Sequence, residues 1–250
     1  FSHPSEAEFA RICALVPGAT VDDAVAAVIG GALRRYLDAN GELPPTHSLA
    51  AIVPEVGADA PAGPDQLRWR HVRLGTDIAD ARQRLATLAA QALDAPDEVA
   101  RLLGSPALAE AGEQASAALL AWSRRLASKA GARLGARTPP ANCTLTEVPA
   151  PQQPMYLCGA QLSYFSAILP ITDGLGLAFA VTRYDGRLVI SPTSCRELMP
   201  DPQAFAQCLR DSFQEYLAIA PATPAVVPLP TAARRRGSPG GTAPRPARRG

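Results

Sequence analysis

Histidine is scarce in this chain of 250 residues: His3, His47 and His71 are all there are. No two of them lie side by side or at helical ligand spacing, so metal catalysis has no support. His3 lies near the start, His47 follows Pro44-Pro45 in a loop, and His71 falls on a strand face where a structural or surface role is expected. The serines lack a G-x-S-x-G elbow, which removes the usual serine-hydrolase arrangement. No G-x-G-x-x-G or Walker-type loop occurs, and Gly174-Leu175-Gly176 is too short to stand for one. Long apolar runs are missing as well. The longest, over residues 24–33, is about half of what a bilayer-spanning helix needs. The cysteines (Cys13, Cys143, Cys158, Cys195 and Cys208) are odd in number and include no C-x-x-C pair. They suit neither a disulfide framework nor zinc, and read as ordinary buried or half-buried thiols in a reducing cytoplasm.

What is present is enough apolar sequence for a core. Apolar residues make up 47% and charged residues 19%, which excludes a chain disordered throughout. Charge is unevenly spread. Residues 221–250 hold Arg234, Arg235, Arg236, Arg245, Arg248 and Arg249 and no acid. The whole chain is +1 and this tail contributes +6, leaving −5 for residues 1–220. The mildly acidic body gives no electrostatic reason to expect nucleic acid as a partner. The tail also loses all periodicity and is rich in proline, so residues 1–220 are expected to form one domain and 221–250 a disordered tail. The chain opens on Phe1 without the basic-then-apolar start of a signal peptide. It reads either as the back part of a longer protein or as one whose natural start was removed.

Periodicity places the elements. A short helix is expected over residues 4–16 and a clearer one from Thr20 to Asn40-Gly41, with Thr20 as its cap and Asp22 and Asp23 in its first turn. A strand over 49–53 is expected to stop at Pro54, and residues 54–65 read as a loop. Residues 67–74 alternate as a strand with Trp69 and His71 on one face, and 77–93 and 106–134 read as Ala-rich helices. Strands follow at 143–148, 156–168, 175–184 and 187–190, the last two joined by the hairpin signal Asp185-Gly186. A closing helix opens at Asp201-Pro202. The order points to an α/β mixed-sheet sandwich with helices packed on the sheet, not a regular β-α-β alternation.

The residues alone reveal no catalytic centre. Asp22-Asp23 is a paired carboxylate that suits acid/base work, but carboxylates in a helix first turn also meet free N–H groups and the helix dipole. The rigid run Pro149-Ala150-Pro151 cannot continue a sheet ladder and suits a fixed loop.

Three stretches taken together resemble the bacterial wax ester synthase/diacylglycerol acyltransferase family. TVDDAVAAVIGGALRRYLDANGELP, over 20–44, is similar to that family's TVNDVVLA…GALRRYL…GELP. LTEVPAPQQPMYLCGAQL, over 145–162, resembles ISNVPGP…PLYLAGA. TDGLGLAFAVTRYDGRLVISPTSCRELMPD, over 172–201, resembles DG…LNITV…SY.G.L.FGL.AD.DLVPD. All three occur in family order, and the resemblance covers about residues 5–220.

The resemblance implies one half of the CoA-dependent acyltransferase fold, the C-terminal domain. It further implies an O-acyltransferase that moves an acyl group from acyl-CoA, a co-substrate and not a bound cofactor, to diacylglycerol or a long-chain alcohol. The family's HHxxxDG motif, whose second His acts as general base, is absent from this chain, so no catalytic residue and no metal ligand is expected here. The implied partners are an N-terminal acyltransferase domain, acyl-CoA, the lipid acceptor and a membrane or lipid-droplet surface reached from the cytoplasm. Asp22, Asp23, Glu147, Val148, Pro149 and Pro151 match the family's motif positions and are expected to line the substrate tunnel. Polar positions depart: Asp22 and Glu147 stand where the family has Asn, Ala150 where it has Gly, Ala178 where it has Asn, and Cys195 where it has Asp. A carboxylate in place of an amide loses a donor and gains a charge. A catalytically silent relative acting as a binding or scaffold module therefore stands as the alternative, with a carrier-protein-dependent acyl transfer or condensation module as a third reading.

Overall fold

The computed structural model describes residues 4–56, 67–91, 141–151, 153–171 and 175–222. The helix expected over 106–134 and all but the first residues of the expected tail lie outside them.

Capping residues set the helices. α1 (Glu6–Cys13) begins with Ser5 and Glu8 in a reciprocal capping box, and α2 (Val21–Ala39) begins with Thr20 and Asp23 in another. Asp80 caps α3 (Ala81–Ala89), which starts four residues later than the apolar pattern alone suggests because the Asp80 side chain takes the Gln83 N–H at 2.7 Å. Asp201 accepts from the Gln203 and Ala204 amides and opens α4 (Pro202–Ile219) with Pro at its first position, as expected.

The strands form a five-stranded mixed sheet. β1 (Ala50–Val56) pairs antiparallel with β2 (Leu67–Arg73) and parallel with β3 (Cys143–Val148). β3 runs parallel to β6 (Leu177–Tyr184), and β7 (Arg187–Ser194) closes the far edge antiparallel to β6. The order is β2-β1-β3-β6-β7. Asp185 and Gly186 both take positive φ, 50° and 70°, as the two-residue hairpin between β6 and β7 requires. The run over 156–168 is not one strand. It folds back as a small hairpin, β4 (Tyr156–Leu157) and β5 (Ala160–Gln161), because Cys158 and Gly159 also adopt positive φ.

Two prolines sit inside strands, against the expectation that Pro54 ends β1. The Ala50 amide and carbonyl serve Asn142 beside β3, so even-numbered residues of β1 turn their N–H toward β3. Pairing with β3 ends at Ile52, and Pro54 has no ladder bond to lose. Pro192 in β7 is equivalent. The Leu188 N–H points away from β6 to the Pro4 carbonyl, and Pro192, four residues on, faces the same open edge. At the opposite edge, the carboxamide of Gln91 takes the N–H and carbonyl of Arg73 at 2.8 and 2.7 Å, as a neighbouring strand would.

Alternation decides the layers. Ala51, Val72, Cys143, Leu145, Phe179 and Val181 face a single core shared with all four helices described here. On the other sheet face, Ala178 and Ala180 pack with Leu169 and Val148 under the extended segment that follows β5. The result is the mixed-sheet α/β sandwich expected from the sequence.

α2 comes very close to the end of β2 and to α4, and two glycines allow it. A Cβ on Gly30 would stand 1.9 Å from the Leu74 carbonyl oxygen, and one on Gly31 would stand 2.3 Å from Ser212 Oγ. Behind this crossing, Arg84 is fully buried. Its guanidinium donates to the carbonyls of Gly75, Ile78 and Ala79 and to the Tyr216 hydroxyl, at 2.8–3.3 Å. No described carboxylate lies at ion-pair distance from it. Burial pushes the Tyr216 phenol up to about 12, with Arg84 opposing, so it stays a neutral partner at pH 7.

The crossing yields a test. Gly→Ala in a helix normally gains about 1 kcal/mol, but at Gly30 the new methyl meets backbone. Gly30→Ala should lower Tm by at least about 2 °C, since overpacking costs roughly 1–3 kcal/mol or more. Thermal unfolding followed by circular dichroism measures it, and an unchanged or raised Tm would contradict the close crossing.

Candidate functional site

The central strands β1, β3 and β6 run in one direction, and their carboxyl ends point toward the N-terminus of α2. Ligand crevices of open α/β sheets lie at such ends. Here β1 and β3 share only the Ala51–Cys143 and Ile52–Thr144 pairs before they diverge. The divergence opens a notch of about 300 Å³ whose walls include Val25, Val53, Pro54, Leu145 and Val181, with Asp22, Asp23, Glu147 and Arg70 among its polar groups.

The two aspartates of α2 have different partners. Asp23 is turned back on the helix end: its Oδ2 accepts from the Thr20 N–H at 2.9 Å and the Thr20 hydroxyl at 2.7 Å. This is the capping role that first-turn carboxylates ordinarily fill. Asp22 points outward and pairs with Arg183 Nη2. On its other side, Arg183 Nε lies 3.0 Å from Glu147 Oε1, outside hydrogen-bond geometry, so that contact is Coulombic. Arg183 thus stands between the two carboxylates, 29% exposed against 57% and 52% for theirs.

Of the positions expected to form a site, the fold brings Asp22, Asp23 and Glu147 together at the notch. Val148 is on the opposite sheet face, packed toward Leu169 and Ala178. Pro149 and Pro151 are exposed in the turn beyond β3 and do not line the notch. Arg183 and Arg84 were not singled out by sequence reasoning. Arg84 could have been found, because it interrupts the apolar stripe of Ala81, Leu85 and Leu88 on α3. Arg183 gave no such signal, since a strand-end arginine is ordinary until its partners are known.

No histidine lines the notch among the described residues. His71 is on β2 between Arg70 and Val72, which do line it, so its side chain leaves from the other face of the sheet. His47 is exposed in the loop before β1. The cysteines supply no nucleophile there either. Burial pushes Cys143 up to about 12, and burial followed by the nearby Asp23 pushes Cys13 up to about 11. Such thiols are inert at neutral pH. Cys158 departs from the expected burial, exposed at the tip of the β4–β5 hairpin. Treatment of the folded chain with iodoacetamide should therefore modify Cys158 well before Cys13 or Cys143, which should react only on unfolding. Mass spectrometry of the digested protein reads the order, and early labelling of Cys143 would contradict the core described above.

Comparison with known proteins agrees with this architecture. The model of the WS/DGAT C-terminal domain matches residues 66–216. A Mycobacterium bovis protein named as a putative diacylglycerol O-acyltransferase is 34% identical over 197 residues, covering 78% of this chain and 42% of its own. A Mycobacterium tuberculosis protein of the same description is 29% identical over 202 residues, covering 80% of this chain and 39% of its own. Among solved structures, the wax ester synthase/diacylglycerol acyltransferase from Marinobacter aquaeolei VT8 superposes with a TM-score of 0.59 at 23% identity. That match covers 86% of this chain and 47% of the other, and shows the shared fold. The chain thus spans about two-fifths of the length of the curated relatives it matches. By the extent of the domain match and the agreement of its sheet with that fold, the chain belongs to the wax ester synthase/diacylglycerol acyltransferase family, as a C-terminal domain.

Proposed function

We propose that this chain is one wall of the active site of an acyl-CoA-dependent O-acyltransferase that makes triacylglycerol or wax esters. The observation that carries the reading is the notch at the carboxyl ends of β1, β3 and β6, where the motif positions Asp22, Asp23 and Glu147 converge. In the reaction, the acceptor hydroxyl oxygen attacks the thioester carbonyl of acyl-CoA. Its proton passes to a general base, the carbon–sulfur bond breaks, and the departing CoA thiolate takes the proton back. The base is the histidine of HHxxxDG, which this sequence does not hold. Its place is in an N-terminal acyltransferase domain, the chief partner of this one.

An exposed apolar surface supports a partner of that kind. Met155, Tyr156, Leu157 and Ile168 are 48–85% exposed around and after the β4–β5 hairpin, in the chain that follows the Pro149–Pro151 turn. Exposed apolar surface of this kind marks an interaction face. Val148, Pro149 and Pro151 then act by leading the chain from β3 toward that hairpin. No helix among the described residues is long and apolar enough to cross a membrane, and contact with a membrane or lipid-droplet surface would be peripheral. The silent-relative reading is favoured by one observation, the carboxylates of Asp22 and Glu147 in place of the family's amides.

Two assays with labelled acyl-CoA separate these readings. The purified chain alone should form no wax ester or triacylglycerol. The same chain mixed with, or joined to, a family N-terminal domain carrying HHxxxDG should form one of them. Turnover by the chain alone would overturn the division of labour, and an inactive assembled pair that still binds would support the silent module.

A further inference from the structure

Three charged side chains, Asp22, Glu147 and Arg183, meet beside the notch. In sequence they are far apart, on α2, β3 and β6, yet in the fold they touch. Asp22, Asp23 and Glu147 bring three carboxylates to the notch, and Arg183 stands between two of them. Arginine alone would put a cation, 29% exposed, against the packed end of β6 with nothing to hold it. Together Asp22, Glu147 and Arg183 carry one net negative charge, and each has an opposite neighbour.

We infer that Asp22, Glu147 and Arg183 form one interdependent charged latch centred on Arg183, fastening the start of α2 to β3 and β6 beside the notch. The forked guanidinium is what permits this. It offers Nη2 to Asp22 while Nε faces Glu147, two directions that a lysine ammonium cannot serve from one position. The latch does not depend on the acyl-transfer reading, and its test needs no substrate.

Variants of the full 250-residue chain are compared by thermal unfolding at low salt. Asp22→Asn, Glu147→Asn and Arg183→Ser should each lower Tm by about 1–3 °C, the range for partly exposed pairs in a domain of this size. Arg183→Ser should be the most damaging of the three, because it leaves two carboxylates facing each other. The decisive variant is the triple Asp22→Asn/Glu147→Asn/Arg183→Ser, which should lose less than Arg183→Ser alone, a reversal that independent sites cannot produce. Arg183→Lys should recover part of the loss, and about 0.5 M salt should shrink all the differences. A triple variant whose loss equals the three single losses added together would overturn the latch, and so would losses that salt does not touch.

Discussion

Everything in this domain hangs on how closely α2 approaches the end of β2 and α4. At Gly30 the helix backbone rests against the end of β2, and at Gly31 it meets Ser212 of α4, with no side chain in between. The Ser212 hydroxyl closes the contact by donating to the Val28 carbonyl at 2.8 Å, and Phe9, Tyr36, Phe205 and Phe213 fill the space on either side. With the middle of the helix pinned, its N-terminus has one place to go, above the diverging ends of β1 and β3. The notch is therefore a consequence of the crossing, not a separate feature.

Two arginines with opposite surroundings frame this helix. Arg84 is buried and is satisfied by carbonyl dipoles and a neutral phenol, an arrangement that ties the loop after β2 to α4 without an ion pair. Arg183 is partly exposed and lies between full charges. The first belongs to the packing, since leaving any of its donors unpaired in the interior would be costly. The second belongs to the rim, where water screens the charges and what matters is which groups they hold in place.

How far this arrangement could be read beforehand depended on whether its causes were local. Thr20, Asp201-Pro202 and Asp185-Gly186 act within a few residues of themselves, and the helices and hairpin they announce are where they should be. Pro54 misled because its meaning depends on which neighbour its missing N–H faces, and that is a property of the assembled sheet. Cys158 misled for a related reason: a non-glycine residue at positive φ is uncommon, so the turn it makes with Gly159 carries no strong signature. At the notch, the motif positions could be found in the chain, but Asp22 and Asp23 are adjacent residues with unlike roles. Only the fold shows that one caps the helix and the other reaches Arg183.

The prolines and the Gln91 carboxamide have a bearing on how the protein behaves in a crowd. An open sheet has two borders at which a foreign strand could add itself, the first step toward aggregated β-structure. Along β7 such a strand would find the Leu188 amide already taken by Pro4 and no amide at all on Pro192. Along β2 it would find Arg73 already occupied by Gln91. Among the described residues, each border is thus interrupted by the chain's own groups, which leaves a foreign strand fewer amides to pair with.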